Sequence, residues 1–149
     1  MKQLIRNSVF ETNSSSCHSI SVGNSGVYKG YPVEEDGSVI IEHGFYGWEK
    51  KMYTSVCDRL SYVWIYIRDW SGAKSKDFLE MFTKVVLDHT GGIEIIEDPR
   101  PADSYSNQGY IDHQSVEDSD LDFIFESEAV LKSFLFDSKS YLQTDNDNH

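Results

Sequence analysis

Cysteine is scarce: the 149-residue chain carries two, Cys17 and Cys57. A small secreted domain would usually hold more, so no disulfide framework can be read and a reducing cytoplasm is expected. Long apolar runs are also missing. The opening MKQLIRNSVF has basic residues but no apolar core of signal-peptide length. No stretch approaches the roughly 18 apolar residues of a membrane span. The longest, Tyr62 to Ile67, has the length of a buried helix segment. No phosphate loop, dinucleotide fingerprint or zinc-finger spacing occurs. Asp118-Ser119-Asp120-Leu121-Asp122 imitates the first ligands of an EF-hand. The sixth position, however, is Phe123 rather than Gly, and the twelfth is Ala129 rather than Glu. Neither a cofactor nor a metal is expected.

Positive charge is short as well. The net charge is −12, and residues 97–149 hold 13 acids against 3 bases, a net of −10. Such a surface repels phosphate backbones, so direct nucleic-acid binding is disfavoured. It serves solubility, or it attracts a basic protein partner.

What is present is enough for a core. Apolar residues make up 39% and aromatics 13%, too much for a disordered chain. A domain of this length buries about 70% of its unfolded surface without help from disulfide or metal. With no repeat and no linker, residues 1–149 read as one domain. The tail 145–149 reads as a frayed end or as a polar lip over a site.

The N-terminal third reads as strands and turns. Cys17 to Val22 alternates with period two, and a turn follows at Gly23-Asn24-Ser25-Gly26. Val27 to Val33 and Ser38 to His43 look like a hairpin around Glu34-Glu35-Asp36-Gly37. Two helices come next. Val56, Leu60, Val63, Trp64 and Ile67 share one helical face, widened by Tyr62, Ile65 and Tyr66, which marks a central helix ended by Ser71-Gly72. Phe78, Phe82, Val85, Val86 and His89 repeat the spacing, with Gly91-Gly92 as the cap. Lys74 and Lys76 stand ahead of this second helix, against the dipole preference.

Gly92 to Glu97 and Gln108 to Ser115 read as strands, separated by a polar loop from Pro99 to Asn107. Ser127 reads as the N-cap of a short helix through Leu135, with Val130, Leu131, Phe134 and Leu135 inward. Ser140 to Gln143 reads as a last strand. This order predicts an α+β fold, with a small mixed or antiparallel sheet packed on two central helices plus a short C-terminal one.

The most unusual stretch is Glu11 to Ser19. Asn13, Ser14, Ser15 and Ser16 ahead of His18 supply many small donors and acceptors. They line a polar pocket, or they are turn residues satisfying local backbone groups. Strand periodicity sharpens the choice. In an extended Ser16–Val22, His18, Ile20 and Val22 share the apolar face and Cys17 points away, so Cys17 and His18 cannot pair directly. In Gly109–Ser115, Ile111 and His113 share a face, opposite Tyr110, Asp112 and Gln114. Two histidines on inward strand faces can meet across a cleft for acid–base work, or they are unrelated residues at the core edge. Among the tryptophans, Trp64 reads as packing. Trp48, after Gly44-Phe45-Tyr46-Gly47, is the candidate for ligand stacking.

Arg6 to Ser16 (RNSVFETNSSS) followed by His18-Ser19 resembles the start of a group of uncharacterised phage and prophage proteins. Gly47-Trp48-Glu49, Leu60-Ser61-Tyr62, Tyr110 to Ser115 (YIDHQS), and Lys139-Ser140-Tyr141 through Asn146-Asp147-Asn148 are similar to later blocks of the group. The resemblance spreads over nearly the whole chain. It implies a phage gene acting inside a bacterial cell, and it carries no assigned activity. Cys17 stands where the group has Ser or Thr, which argues against a cysteine nucleophile. Asp145 stands where the group has Gly, which argues against a strict tail geometry. The resembling blocks are polar, and polar loop blocks point to a site rather than a core.

Two main functions are therefore expected, in rivalry. One is a pocket that binds or acts on a small ligand. It would be built from Asn13, Ser14, Ser15, Ser16, His18, Trp48, Gln114 and Ser115, with His18 or His113 as acid or base and Asp112 as the orienting carboxylate. The other is a phage accessory protein that binds a host protein, a defence or transcription factor, through its acidic C-terminal third. A virion or assembly component ranks last, because nothing indicates fibre, repeat or coiled coil.

Overall fold

The computed structural model describes residues 4–6, 9–11, 19–23, 33–46, 51–98, 110–111 and 121–144, and among these residues it has three α-helices, nine short strands and two short 3-10 turns. The strands are β1 (Leu4–Arg6), β2 (Val9–Glu11), β3 (Ser19–Ser21), β4 (Ser38–Ile41), β5 (Phe45–Tyr46), β6 (Lys51–Tyr53), β7 (Glu94–Glu97), β8 (Tyr110–Ile111) and β9 (Tyr141–Thr144). The helices are α1 (Val56–Trp70), α2 (Ser75–Thr90) and α3 (Glu128–Phe136). The fold is α+β, as the order of elements predicts.

Helix α1 starts where Ser55 can cap it. The Ser55 hydroxyl accepts from the Asp58 N–H at 3.1 Å, and the Asp58 carboxylate suits the positive end of the helix. The helix stops at Ser71, whose hydroxyl donates to the Ile67 carbonyl at 2.6 Å, and at Gly72 with φ +56°. Leu60, Tyr62, Val63, Ile65 and Tyr66 are all buried, so α1 is the central helix. Around it sit Phe82 and Val86 of α2, Phe134 and Leu135 of α3, Val39 and Ile41 of β4, and Ile111 of β8. Each such apolar side chain contributes about 1.5–3 kcal/mol when fully buried.

Helix α2 begins earlier than its apolar stripe. A 3-10 turn over Gly72–Lys74 leads straight into it, and the Lys74 N–H is taken by the Ser71 carbonyl at 3.0 Å. The adverse charge of Lys74 is offset from elsewhere in the chain, since its ammonium donates to Asp122 at 2.6 Å. Gly91, in the left-handed conformation at φ +77°, closes the helix by donating to the Leu87 carbonyl at 2.9 Å. In α3, the Ser127 hydroxyl accepts from the Val130 N–H at 3.2 Å, the cap the sequence announces.

Among the described residues the strands form four small ladders rather than one sheet. Antiparallel β1–β2 pairs Leu4 with Glu11. The order β3–β9–β6 places β9 between two antiparallel neighbours, with Ser19 and Met52 on either side of Gln143 and Lys51 opposite Thr144. β4 runs parallel to β7, and β5 runs parallel to β8. The expected hairpin is only half visible. The Glu34–Gly37 turn is there, with the Gly37 N–H on the Glu34 carbonyl at 2.9 Å, but residues 27–32 lie outside the described residues. The described partner of β4 is β7.

Candidate functional site

Asn13, Ser14, Ser15, Ser16, His18, Trp48, Asp112, His113, Gln114 and Ser115 lie outside the described residues, as do Cys17 and the tail 145–149. The strand ends beside them in the chain are described. Ser19, next after His18, and Lys51, four residues after Gly47, both begin strands at the end of the three-stranded sheet where β9 finishes at Thr144. Tyr46, just before Gly47, is the register partner of Ile111, just before Asp112, and because β5 and β8 are parallel both strands finish side by side. The Tyr46 ring meets the Tyr53 ring of β6 edge-on, with centroids 5.0 Å apart, which ties this pair of strand ends to the three-stranded sheet. Ile20, Val22 and Ile111 are all buried, as their expected inward faces require. Ser21, whose side chain lies on the strand face opposite Ile20, is buried too, so β3 is covered on both sides.

Tyr46 is the anchor of this region. It is 1% exposed and also meets Tyr62 edge-on at 5.1 Å. Its hydroxyl is shared between the Asp58 carbonyl at 3.1 Å and the Asp58 carboxylate at 3.0 Å. Burial first, and the Asp58 charge second, push the phenol well above its usual range. At neutral pH Tyr46 is therefore a hydrogen-bond donor and never a base. The Ser55 hydroxyl donates to the other Asp58 oxygen at 2.9 Å, and the Ser61 hydroxyl donates to the Glu42 carbonyl at 2.6 Å. Together these bonds make a firm polar wall at the N-terminal end of α1. Sequence patterning did not single out this wall. Its only signal was Ser55 three residues ahead of Asp58, a capping arrangement.

A cavity of about 480 Å3 opens further along the same helix. Trp64, Ile67 and Arg68 of α1, Ser75, Lys76 and Leu79 of α2, and Glu97 at the end of β7 line it. Trp64 packs at a tilt on Phe82, with centroids 6.0 Å apart, so the packing role expected of it is half of its position; the other half is a cavity wall. The Trp64 indole nitrogen and one Glu97 carboxylate oxygen are enclosed without a hydrogen-bond partner among the described residues, and that oxygen lies 3.7 Å from the Arg68 guanidinium. Three elements distant in sequence contribute to this wall, which is why periodicity could not reveal it.

Among the described residues no group of three or more His, Cys, Asp or Glu side chains is placed to hold a metal, and no helix is long and apolar enough to cross a membrane. Several described carboxylates of the acidic C-terminal third are engaged within the chain. Asp122 binds Lys74, Glu128 binds Lys84 at 3.0 Å, and Asp137 is 1% exposed. No family model, curated protein or solved structure matches the chain.

Proposed function

We propose that the protein is a phage-encoded, small-ligand-binding protein whose polar pocket is formed by Asn13–Ser16 with His18, by Asp112–Ser115, and by Trp48. The observation that carries this reading is the gathering of strand ends. Ser19, Lys51, Tyr46 and Ile111, which lead directly into these blocks, belong to two ladders joined by the Tyr46–Tyr53 contact. Three blocks scattered over the chain thus adjoin strands of two ladders in contact with each other, near the polar wall of Tyr46, Asp58 and Ser55. In this pocket a histidine, His18 or His113, handles the proton, Asp112 orients it, and the serines and Asn13 supply donors and acceptors. The rival reading, a host protein docked on the acidic third, is supported less well, since several of that third's carboxylates have partners inside the chain.

The test is a thermal-shift screen against bacterial metabolites, run on the wild type and on His18→Ala and His113→Ala. A ligand at a hundred times its Kd stabilises the folded state by about 2.7 kcal/mol, which for a chain of this size raises Tm by about 5–10 °C. Both variants should keep their fold and lose that shift. A screen without hits, together with a salt-sensitive capture of a basic bacterial protein, would overturn the pocket in favour of the rival.

A further inference from the structure

The cavity between α1, α2 and β7 stands apart from the polar wall. Ten residues of α1 separate Asp58 from Arg68, about 15 Å along the axis. Its volume of about 480 Å3 falls in the range of small-molecule sites. Its walls are mainly apolar: Trp64 held on Phe82, Ile67 at 4% exposed, and Leu79 at the rim. Leu79 is 40% exposed, one of only three large hydrophobic side chains so exposed among the described residues.

The charges on the wall decide what such a cavity would accept. Glu97, the acidic side chain on the wall, is offset by the Arg68 guanidinium at 3.7 Å, and Arg68 also donates twice to Asp69 at 2.9 and 2.8 Å. Lys74 is held by Asp122, and Lys84 by Asp88 and Glu128. Lys76 has no ion-pair partner among the described residues and stands at the cavity next to an apolar floor. We propose that this cavity is a second binding site, for a small aromatic anion whose flat body rests on Trp64, Ile67 and Leu79 and whose single sulfonate or carboxylate meets Lys76. An ammonium at the edge of an apolar surface binds such a ligand better than water does, because the body is desolvated while the head keeps a counter-charge.

Anilinonaphthalene sulfonate is the charged probe, and uncharged phenylnaphthylamine is its control. The wild type should bind both saturably, with fluorescence enhancement. Lys76→Glu should weaken the sulfonate roughly five- to tenfold, as expected for reversing one partly exposed pair, and should leave the uncharged probe within twofold. Leu79→Glu should weaken both. Three results would each overturn the inference: no saturable binding by the wild type, sulfonate affinity unchanged in both variants, or a parallel loss of both probes in Lys76→Glu. His18 is not among the residues lining this cavity, so His18→Ala should leave both affinities unchanged, and failure here and failure of the polar pocket are read separately.

Discussion

Arg59 is fully buried in a helix face that otherwise reads as core, and replacing it tests how α1 and α3 are tied together. Its guanidinium donates from one nitrogen to the carbonyls of Phe134 and Asp137, both at 2.7 Å, and from the others to Thr54 at 3.3 Å and Ser55 at 3.4 Å. The two short bonds fall on the C-terminal end of α3, where carbonyls lack helical partners and the helix dipole is negative. Arg59 of α1 is thus the C-terminal cap of α3. Hydrogen bonds to a charged group contribute about 1.5–3 kcal/mol each. Against this stands the cost of burying a guanidinium, which its removal returns.

Arg59→Ala also takes this donor from the enclosed Phe134 carbonyl, leaves the Asp137 carbonyl to the Ser140 N–H at 3.1 Å, and opens a cavity the length of the side chain. The net loss should be about 3–5 kcal/mol. Arg59→Met keeps the volume and removes the buried charge, so its loss should be smaller, about 1–3 kcal/mol. Urea unfolding followed by far-ultraviolet circular dichroism reads this directly. With a slope of about 2 kcal/mol per molar urea, the Ala midpoint should drop by about 1.5–2.5 M. A drop below about 0.5 M with an unchanged slope would mean that the capping carbonyls are satisfied without Arg59, and the argument would fail.

Two further outcomes follow from local geometry. Tyr46→Phe removes the hydroxyl bond to Asp58 and should cost about 1 kcal/mol at neutral pH. Because burial raises the folded Tyr46 pKa, its stabilisation is complete below the unfolded value of about 10 and is lost as pH rises past it. Unfolding free energy should therefore fall in the alkaline range, and less steeply in Tyr46→Phe; identical alkaline profiles would count against a raised pKa. Ser127→Ala removes the cap of α3 and should cost about 1 kcal/mol, while Ser127→Asp should restore most of it; equal melting temperatures for all three proteins would contradict the cap.

The helices were legible in the sequence because helical information is local. Val56, Leu60, Val63 and Ile67 repeat at helical spacing, Ser55 and Ser127 can cap, and Gly91 can take the left-handed conformation, all within a few residues. The inward faces of Ile20, Val22 and Ile111 were legible for the same reason, since strand periodicity is a property of neighbours. The chain could not announce its pairings. β4 lies parallel to β7, which follows it only after two helices, with α1 packed against β4 and α2 against β7. Lys74 looked adverse at a helix start until Asp122, 48 residues away, came within 2.6 Å. Arg59 occupied a core position with no local cue to the α3 carbonyls it caps, and the Trp64–Lys76–Glu97 cavity exists only where three separate elements meet. Spacing along the chain determined which segments coil or extend; burial of long-range apolar faces and the satisfaction of enclosed polar groups decided who neighbours whom.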